Sequence, residues 1–342
     1  MVACGRLVAL LLTLLVVLWP ITGRTALTDL PAEEGLPVRV APRLTVERVL
    51  DVNVKDNTFS SEVGLTLQWR DGRLAFDSIA TGQDEKEYLN EAAKAQLARM
   101  WQPKVALLNQ SEPPKSLSAL LLVKSDGSVR YTERLLTKAR IEWHLEDYPF
   151  DRQNLVWQWG SSDYSREAVV LRTGSVEMPS HLVIKNWDPE RTIQATAELT
   201  GATGRRVTSL TSGIVVKRQP MVVITQVLMP FLAITLLPMI ALFTVGPNTP
   251  TQLFTALLAL LTLNFKIVLE EPAIVSVNNA VGDALSMGYA YIGITVVLAL
   301  SVMKAVPENT LSDRMIAIRG YLKWWAALTF ITLVGGRLLA SG

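Results

Sequence analysis

Thr251, Thr255 and Thr262 fall on one face of a helical projection together with Leu258, at steps of four, three and four residues, and Phe265 continues the stripe. Residues of these types break no covalent bonds. A hydroxyl oxygen can stand in for water around an ion, and a leucine or phenylalanine can repel it. On a helix otherwise rich in leucine such a stripe serves one of two ends: it hydrogen-bonds a neighbouring helix, or it faces water. At ~1.5 Å per residue the hydroxyls cover about 16 Å, a length suited to the wall of an aqueous passage. If several copies surround an axis, Thr251 and Thr255 make rings of oxygen at one end. Leu258 and Phe265 make apolar rings, and a narrow apolar ring closes a passage by shedding its water, because an unhydrated ion is costly.

Bond-making chemistry has little to work with. The only cysteine is Cys4, and His144 and His181 are the only histidines, without partners at metal-ligating spacing. There is no Gly-x-Ser-x-Gly elbow and no phosphate-binding glycine loop. Adjacent acids such as Glu146 and Asp147 read as solvated loop charge. No catalytic residue, metal or cofactor is therefore expected, and the chain is not expected to be an enzyme.

The elements that must carry the stripe follow from composition. Hydrophobic residues make up 49% of the 342 and charged residues only 19%, too apolar for an ordinary soluble domain. Lys and Arg number 33 against 31 acids, which gives no electrostatic footprint for nucleic acid. Residues 27–218 hold 25 basic and 26 acidic side chains, residues 219–342 only 6 and 5, so the boundary at Arg218 separates two solvents. The rear part contains four apolar segments, about 221–244, 250–269, 281–303 and 315–339, each long enough to span a bilayer as helix. The stripe lies on the second.

Residues 1–25 begin with Arg6, run through apolar Leu7 to Trp19 and end near small residues, the pattern of a cleaved signal peptide, so residues 26–218 are expected outside the cell membrane. Four spans return the C-terminus to that side. Lys304, Arg314, Arg319 and Lys323 then fall in or beside the inner loop, and Glu270 and Glu271 at the outer mouth, in keeping with the positive-inside bias. Lys266 and Asn264, polar groups near the outer end of the second span, reach the mouth or, for Lys266, pair with Glu270.

The exported part reads as an all-β, immunoglobulin-like sandwich. Glu62 to Trp69 and Asn154 to Trp159 alternate with period two, and Asp71-Gly72 and Asp126-Gly127 supply turns. One helix is expected over Glu85 to Met100, where Tyr88, Leu89, Ala92, Ala93 and Leu97 recur at helical spacing.

Several of these stretches carry a resemblance. Trp69-Arg70-Asp71-Gly72-Arg73-Leu74, Trp101-Gln102-Pro103, the run Asp126 to Tyr131, and above all Tyr148-Pro149-Phe150-Asp151-Arg152-Gln153 occur in the order found in the pentameric ligand-gated ion channel superfamily, the Cys-loop receptor relatives. Arg218-Gln219-Pro220 with Pro230 resembles that family's entry into its first membrane helix, and Asn264 with Pro272 its pore helix and the loop after it. Ile141 and Leu155 stand where the family's disulfide would fall, so the likeness is to the prokaryotic members that lack it.

The resemblance implies a homopentamer in the lipid bilayer, opened by a small-molecule agonist or by protons acting on the sandwiches, with inorganic ions passing along the second helix. It makes Asp151 and Arg218 an ion pair where sandwich meets membrane, with Pro149, Phe150 and Pro272 as further coupling residues. The acid that many relatives add from the first hairpin corresponds here to Asn53 or Val54, with Asp51 or Asp56 as substitutes. The aromatic cage of amine-binding relatives is replaced by Gly64, Leu108 and Ser162. Tyr164 remains, and Arg205 and Arg206 would favour an anionic ligand or serve as solvated loop charges. Glu270 and Glu271 favour cations electrostatically, whereas Pro247 to Thr249 match neither selectivity pattern fully. An anion-selective channel and a non-conducting membrane-anchored sensor remain the alternatives.

Overall fold

The computed structural model describes residues 26–32, 35–161, 163–200, 204, 206–243, 249–270, 279–304, 320–321, 324–325 and 328–336. The expected signal peptide, Arg205, Glu271 and Pro272 lie outside the described residues.

Two sheets face each other. β1 (Val38–Asn53), β2 (Thr58–Arg70), β3 (Glu85–Leu89), β5 (Gln110–Lys124), β6 (Ser128–Arg140) and β8 (Val169–Leu171) run in the order β3-β5-β6-β2-β1-β8, with β9 (Ser175–Glu177) also pairing β1. The second sheet takes β10 (Trp187–Thr200), β11 (Arg206–Arg218), β7 (Arg152–Ser161) and β4 (Val105–Leu107), in that order. Alternation decides what lies between them. In β2, Phe59, Val63, Leu65, Leu67 and Trp69 point inward, and β7 answers with Leu155, Trp157 and Trp159. Trp157 is fully buried, and its indole N–H is met by the hydroxyls of Ser61 at 3.0 Å and Thr137 at 3.2 Å.

The stretch Glu85 to Met100 is divided, against expectation. Glu85–Leu89 is strand β3, antiparallel to β5, and helix begins only at Asn90. Glu85, Glu87 and Leu89 face out while Lys86 and Tyr88 are half-buried, a period of two that the helical spacing of Tyr88 and Leu89 masked. Asn90 makes the break: its φ is +48° and its Oδ1 accepts the amide of Ala119. Labelling Ser78–Thr81 as α1, Asn90–Leu97 becomes α2.

Gly127 closes the β5–β6 turn at φ +82°, and a Cβ there would lie 2.6 Å from the carbonyl oxygen of Asp71. Both strain and clash oppose a side chain. Gly127→Ala is expected to cost about 1–3 kcal/mol, read as a lowered thermal unfolding midpoint of the full chain.

After β11 the chain enters α3 (Pro220–Val223), one π turn (Ile224–Leu228) and α4 (Met229–Phe243), then α5 (Thr249–Glu270) and α6 (Ala280–Lys304). Pro220 opens the first helix at a position where its missing N–H matters least. The π turn precedes Pro230, whose nitrogen has no hydrogen to continue the ladder. Among the described residues three helical stretches are long and apolar enough to cross a membrane: Pro220–Pro238, Thr251–Glu270 and Ala280–Val297. The fourth expected span is described only at 320–321, 324–325 and 328–336, all helical. Leu232, Leu236, Ile240, Ile294, Val297, Leu328 and Ile331 are exposed on these helices, an apolar surface that the chain's own described residues leave uncovered.

Candidate pore helix and coupling junction

α5 has two unlike sides. Leu253, Ala256, Leu260, Leu263 and Ile267 are buried, and from Ala256 onward they pack in one apolar cluster with Phe231 of α4 and Val281, Ala284 and Ile292 of α6. These positions step by three and four residues, so α5 is held by a single stripe. Thr251, Thr255, Leu258, Thr262 and Phe265 lie on the exposed side, with Leu258 54% and Phe265 64% exposed. The subunit's own helices therefore leave this stripe uncovered. Thr255 donates its hydroxyl hydrogen to the carbonyl of Thr251 at 2.8 Å, and Thr262 to that of Leu258 at 2.9 Å. With its hydrogen engaged, each hydroxyl presents only lone pairs outward.

Near the outer end Lys266 and Glu270 are both exposed, and no ion pair joins them. Asn264 instead sits by the phenol of Tyr289 on α6, a partner that accounts for a polar group inside the bundle.

The junction between sandwich and helices is built from the loop before β7, the start of β10 and the end of β11. Arg218 and Asp151 form a bidentate pair, Nε to Oδ1 at 2.7 Å and a second guanidinium nitrogen to Oδ2 at 3.2 Å. Their side chains are 5% and 0% exposed. Two charges so deep require further partners. Gln153 donates to Asp151 Oδ2 at 2.6 Å, and exchanges hydrogen bonds with the backbone of His144. The guanidinium lies between the rings of Tyr148 and Trp187, 4.9 and 4.2 Å from their centroids, and Trp187 stacks on Trp143. Pro149 is buried beside them and Phe150 half-buried. Leu145 and Tyr148 of this loop belong to the same apolar cluster as Val223, Leu263 and Ile267, so the loop is packed into the top of the helical bundle.

Gln153, Tyr148 and Trp187 were not foreseen as part of this pair. Gln153 follows Asp151 by two residues on one strand face, and Trp187 pairs directly with Arg218 in the β10–β11 register. The first supplied a usable sequence signal; the second needs the register. The pair takes no acid from the β1–β2 turn among its hydrogen bonds: Val54 there is buried, and the Asp56 amide bonds Asn53 within the turn.

Of the expected ligand residues Tyr164 and Arg206 are described, and both lie at the far end of the sandwich. Tyr164 packs at 5.8 Å from Trp101, half-buried, and with Asp163, Glu167 and Arg206 it borders an open concavity. Arg206 faces Glu167 at 3.7 Å, so part of its charge is met within the chain.

A separate charge cluster lies on the outer face of the larger sheet. Glu62 is 5% exposed beneath Arg48, whose Nε is 3.1 Å away, and Arg134. The Arg48 hydrogen bond, aided by Arg134, holds the Glu62 carboxyl below the usual carboxylate range against the opposing effect of burial. A depressed folded pKa contributes stability that is complete above the unfolded value, about 4.3, and is lost as pH falls through the folded one. Glu62→Gln is thus expected to unfold at lower temperature than wild type at pH 7, with the gap closing as pH falls below about 4, read by tryptophan fluorescence melts.

Residues 27–226, more than half the chain, match the family model for the neurotransmitter-gated ion-channel ligand binding domain. This chain belongs to the pentameric ligand-gated ion channel superfamily. Relatives of this superfamily include the acetylcholine receptor subunit beta of Rattus norvegicus, 28% identical over 257 residues, covering 70% of this chain and 50% of that protein. The neuronal acetylcholine receptor subunit beta-4 of Homo sapiens is 23% identical over 244 residues, 68% and 46% of the two chains. A proton-gated ion channel of Gloeobacter violaceus is 28% identical over 136 residues, 40% and 36%. The chain spans about half the length of the curated receptor subunits it matches. The matched residues take in the β-sandwich, and the helices after it include stretches long and apolar enough to cross a membrane.

Proposed function

We propose that five copies of this chain form a homopentameric channel in the cell membrane, whose pore is lined by α5 and opened by an agonist bound between adjacent sandwiches. The observation that carries the reading is the two-sided α5: Leu253, Ala256, Leu260, Leu263 and Ile267 fasten it to its own bundle, and the threonine stripe with Leu258 and Phe265 is left for a central axis. The Asp151–Arg218 pair, with Pro149 and Phe150 beside it and Pro272 two residues beyond α5 in the sequence, transmits movement of the sandwich to the helices.

Selectivity is for cations. Thr255 and Thr262 present lone pairs and not hydroxyl hydrogens, which suits a cation, and Glu270, with Glu271 next to it, adds negative charge at the outer mouth. Tyr164 and Arg206 serve the agonist site at the far end of the sandwich, and Arg205 is assigned to it from the sequence alone.

Voltage-clamp recording from oocytes expressing the chain, with steps of pH and panels of small amines and carboxylates, tests the reading. A gated current whose reversal follows the sodium gradient is expected. A reversal that follows chloride would make it an anion channel. Surface pentamers that stay silent in every condition, including after polar substitution of Leu258, would make it a non-conducting sensor.

A further inference from the structure

Inside the sandwich, where β4 borders the smaller sheet and β2, β6 and β5 cross opposite, lies a cavity of about 310 Å³. Its walls are mostly aliphatic, among them Leu65, Leu107 and Leu135, each nearly fully buried. Six buried side-chain polar atoms have no hydrogen-bond partner among the described residues, and three of them belong to residues lining this one cavity: the indole nitrogens of Trp69 and Trp159 and the hydroxyl of Ser116. An unmet buried donor costs about 1–3 kcal/mol, and at the neighbouring Trp157 the indole N–H is met by two hydroxyls of the sandwich. On the same lining the Tyr131 phenol lies near Glu133, whose side chain borders the cavity as well. Lys104, also on the wall, is paired with Asp163 at 2.8 Å.

We propose that this cavity binds a small, uncharged, mostly apolar molecule bearing one hydroxyl, of the class of aromatic or cyclic alcohols. The ligand oxygen accepts from an indole N–H or Ser116, its O–H donates to Glu133, and its hydrocarbon body fills the leucine-lined space. Glu133 disfavours a carboxylate. An ammonium would satisfy Glu133 but set donors against the two indoles. The occupant touches Trp159 and Leu107 of one sheet and Leu65, Trp69 and Tyr131 of the other, so binding ties the sheets together within a single subunit. The inference does not depend on the pore, since binding is read without current.

The test is ¹⁹F NMR titration of 4-fluorobenzyl alcohol into the purified full chain in detergent, where partition into micelles is non-saturable and common to all variants. Saturable binding to wild type is expected. About tenfold weaker binding is expected for 4-fluorotoluene, the loss of one hydrogen-bonded group, and none for 4-fluorobenzoate. Ser116→Met, which fills the cavity from its rim, abolishes the saturable component. Trp159→Phe keeps an aromatic ring, though a smaller one, and removes the donor, and weakens the alcohol but not the toluene, which keeps the test valid should the methionine variant fail to fold. Equal affinity for alcohol and toluene, saturable binding that survives in both variants, or no saturable binding at all overturns the proposal.

Discussion

Replacing Asp151 by alanine is expected to destabilise the chain by about 3–5 kcal/mol and to abolish agonist-evoked current. The size follows from what remains. Arg218 is 5% exposed and lies between two aromatic rings, and without the carboxylate its charge is buried with only ring quadrupoles opposite. Gln153 loses one of its two acceptors at the same time and keeps the His144 carbonyl. Arg218→Lys should fail nearly as badly, because an ammonium cannot make two parallel bonds to Oδ1 and Oδ2. The double variant Asp151→Leu with Arg218→Met separates stability from coupling. Burying two apolar side chains in place of a charge pair is often neutral or better, so thermal unfolding should return close to wild type. If the pair transmits movement from sandwich to helices, the double variant assembles at the surface and still gives no current. Wild-type currents from it would reduce the pair to a structural bond.

Some of these features could be read from the sequence and others could not, for physical reasons. The strands of the sandwich were visible wherever one face is buried and the other wet, as in Glu62 to Trp69, because a period of two survives in composition. The three-residue strands β4, β8 and β9 are too short to show a period. At Glu85 to Leu89 two apolar residues happened to continue the spacing of the following helix, and the edge pairing with β5, which is a tertiary fact, decided for strand. The stripe on α5 was legible because hydroxyls are conspicuous among leucines; which side of the helix its own bundle covers was not, since the residues that cover it are mostly apolar, as on the lipid-facing side. The Asp151–Arg218 pair joins residues 67 positions apart and came into view only through resemblance. Its aromatic walls depend on the register of β10 on β11 and on a loop folded into the helical bundle, and neither leaves a local signature.

Leu258→Thr is expected to shift the channel strongly toward conduction, with a standing leak or an agonist sensitivity raised at least about tenfold. Leu258 is exposed within its own subunit, so the substitution removes little from the subunit's core. In a ring of five it changes the passage itself. Fully exposing a leucine to water instead of an apolar surrounding costs about 1.5–3 kcal/mol, and a threonine at the same place welcomes water. Five such changes together exceed the ~5.5 kcal/mol that carries a two-state equilibrium from 1:99 to 99:1, even if each counts for less than its full value. The control is Leu260→Thr, two residues along and fully buried against the neighbouring helices, where the Tyr289 hydroxyl also reaches its carbonyl. There the same chemical change leaves a hydroxyl in a packed core, so surface expression and thermal stability should fall without a leak. Recordings and surface labelling of the two variants side by side therefore read the orientation of α5: leak from position 258 and misfolding from position 260 place the stripe on the axis, and the reverse pattern would turn the helix around and remove the pore from this face.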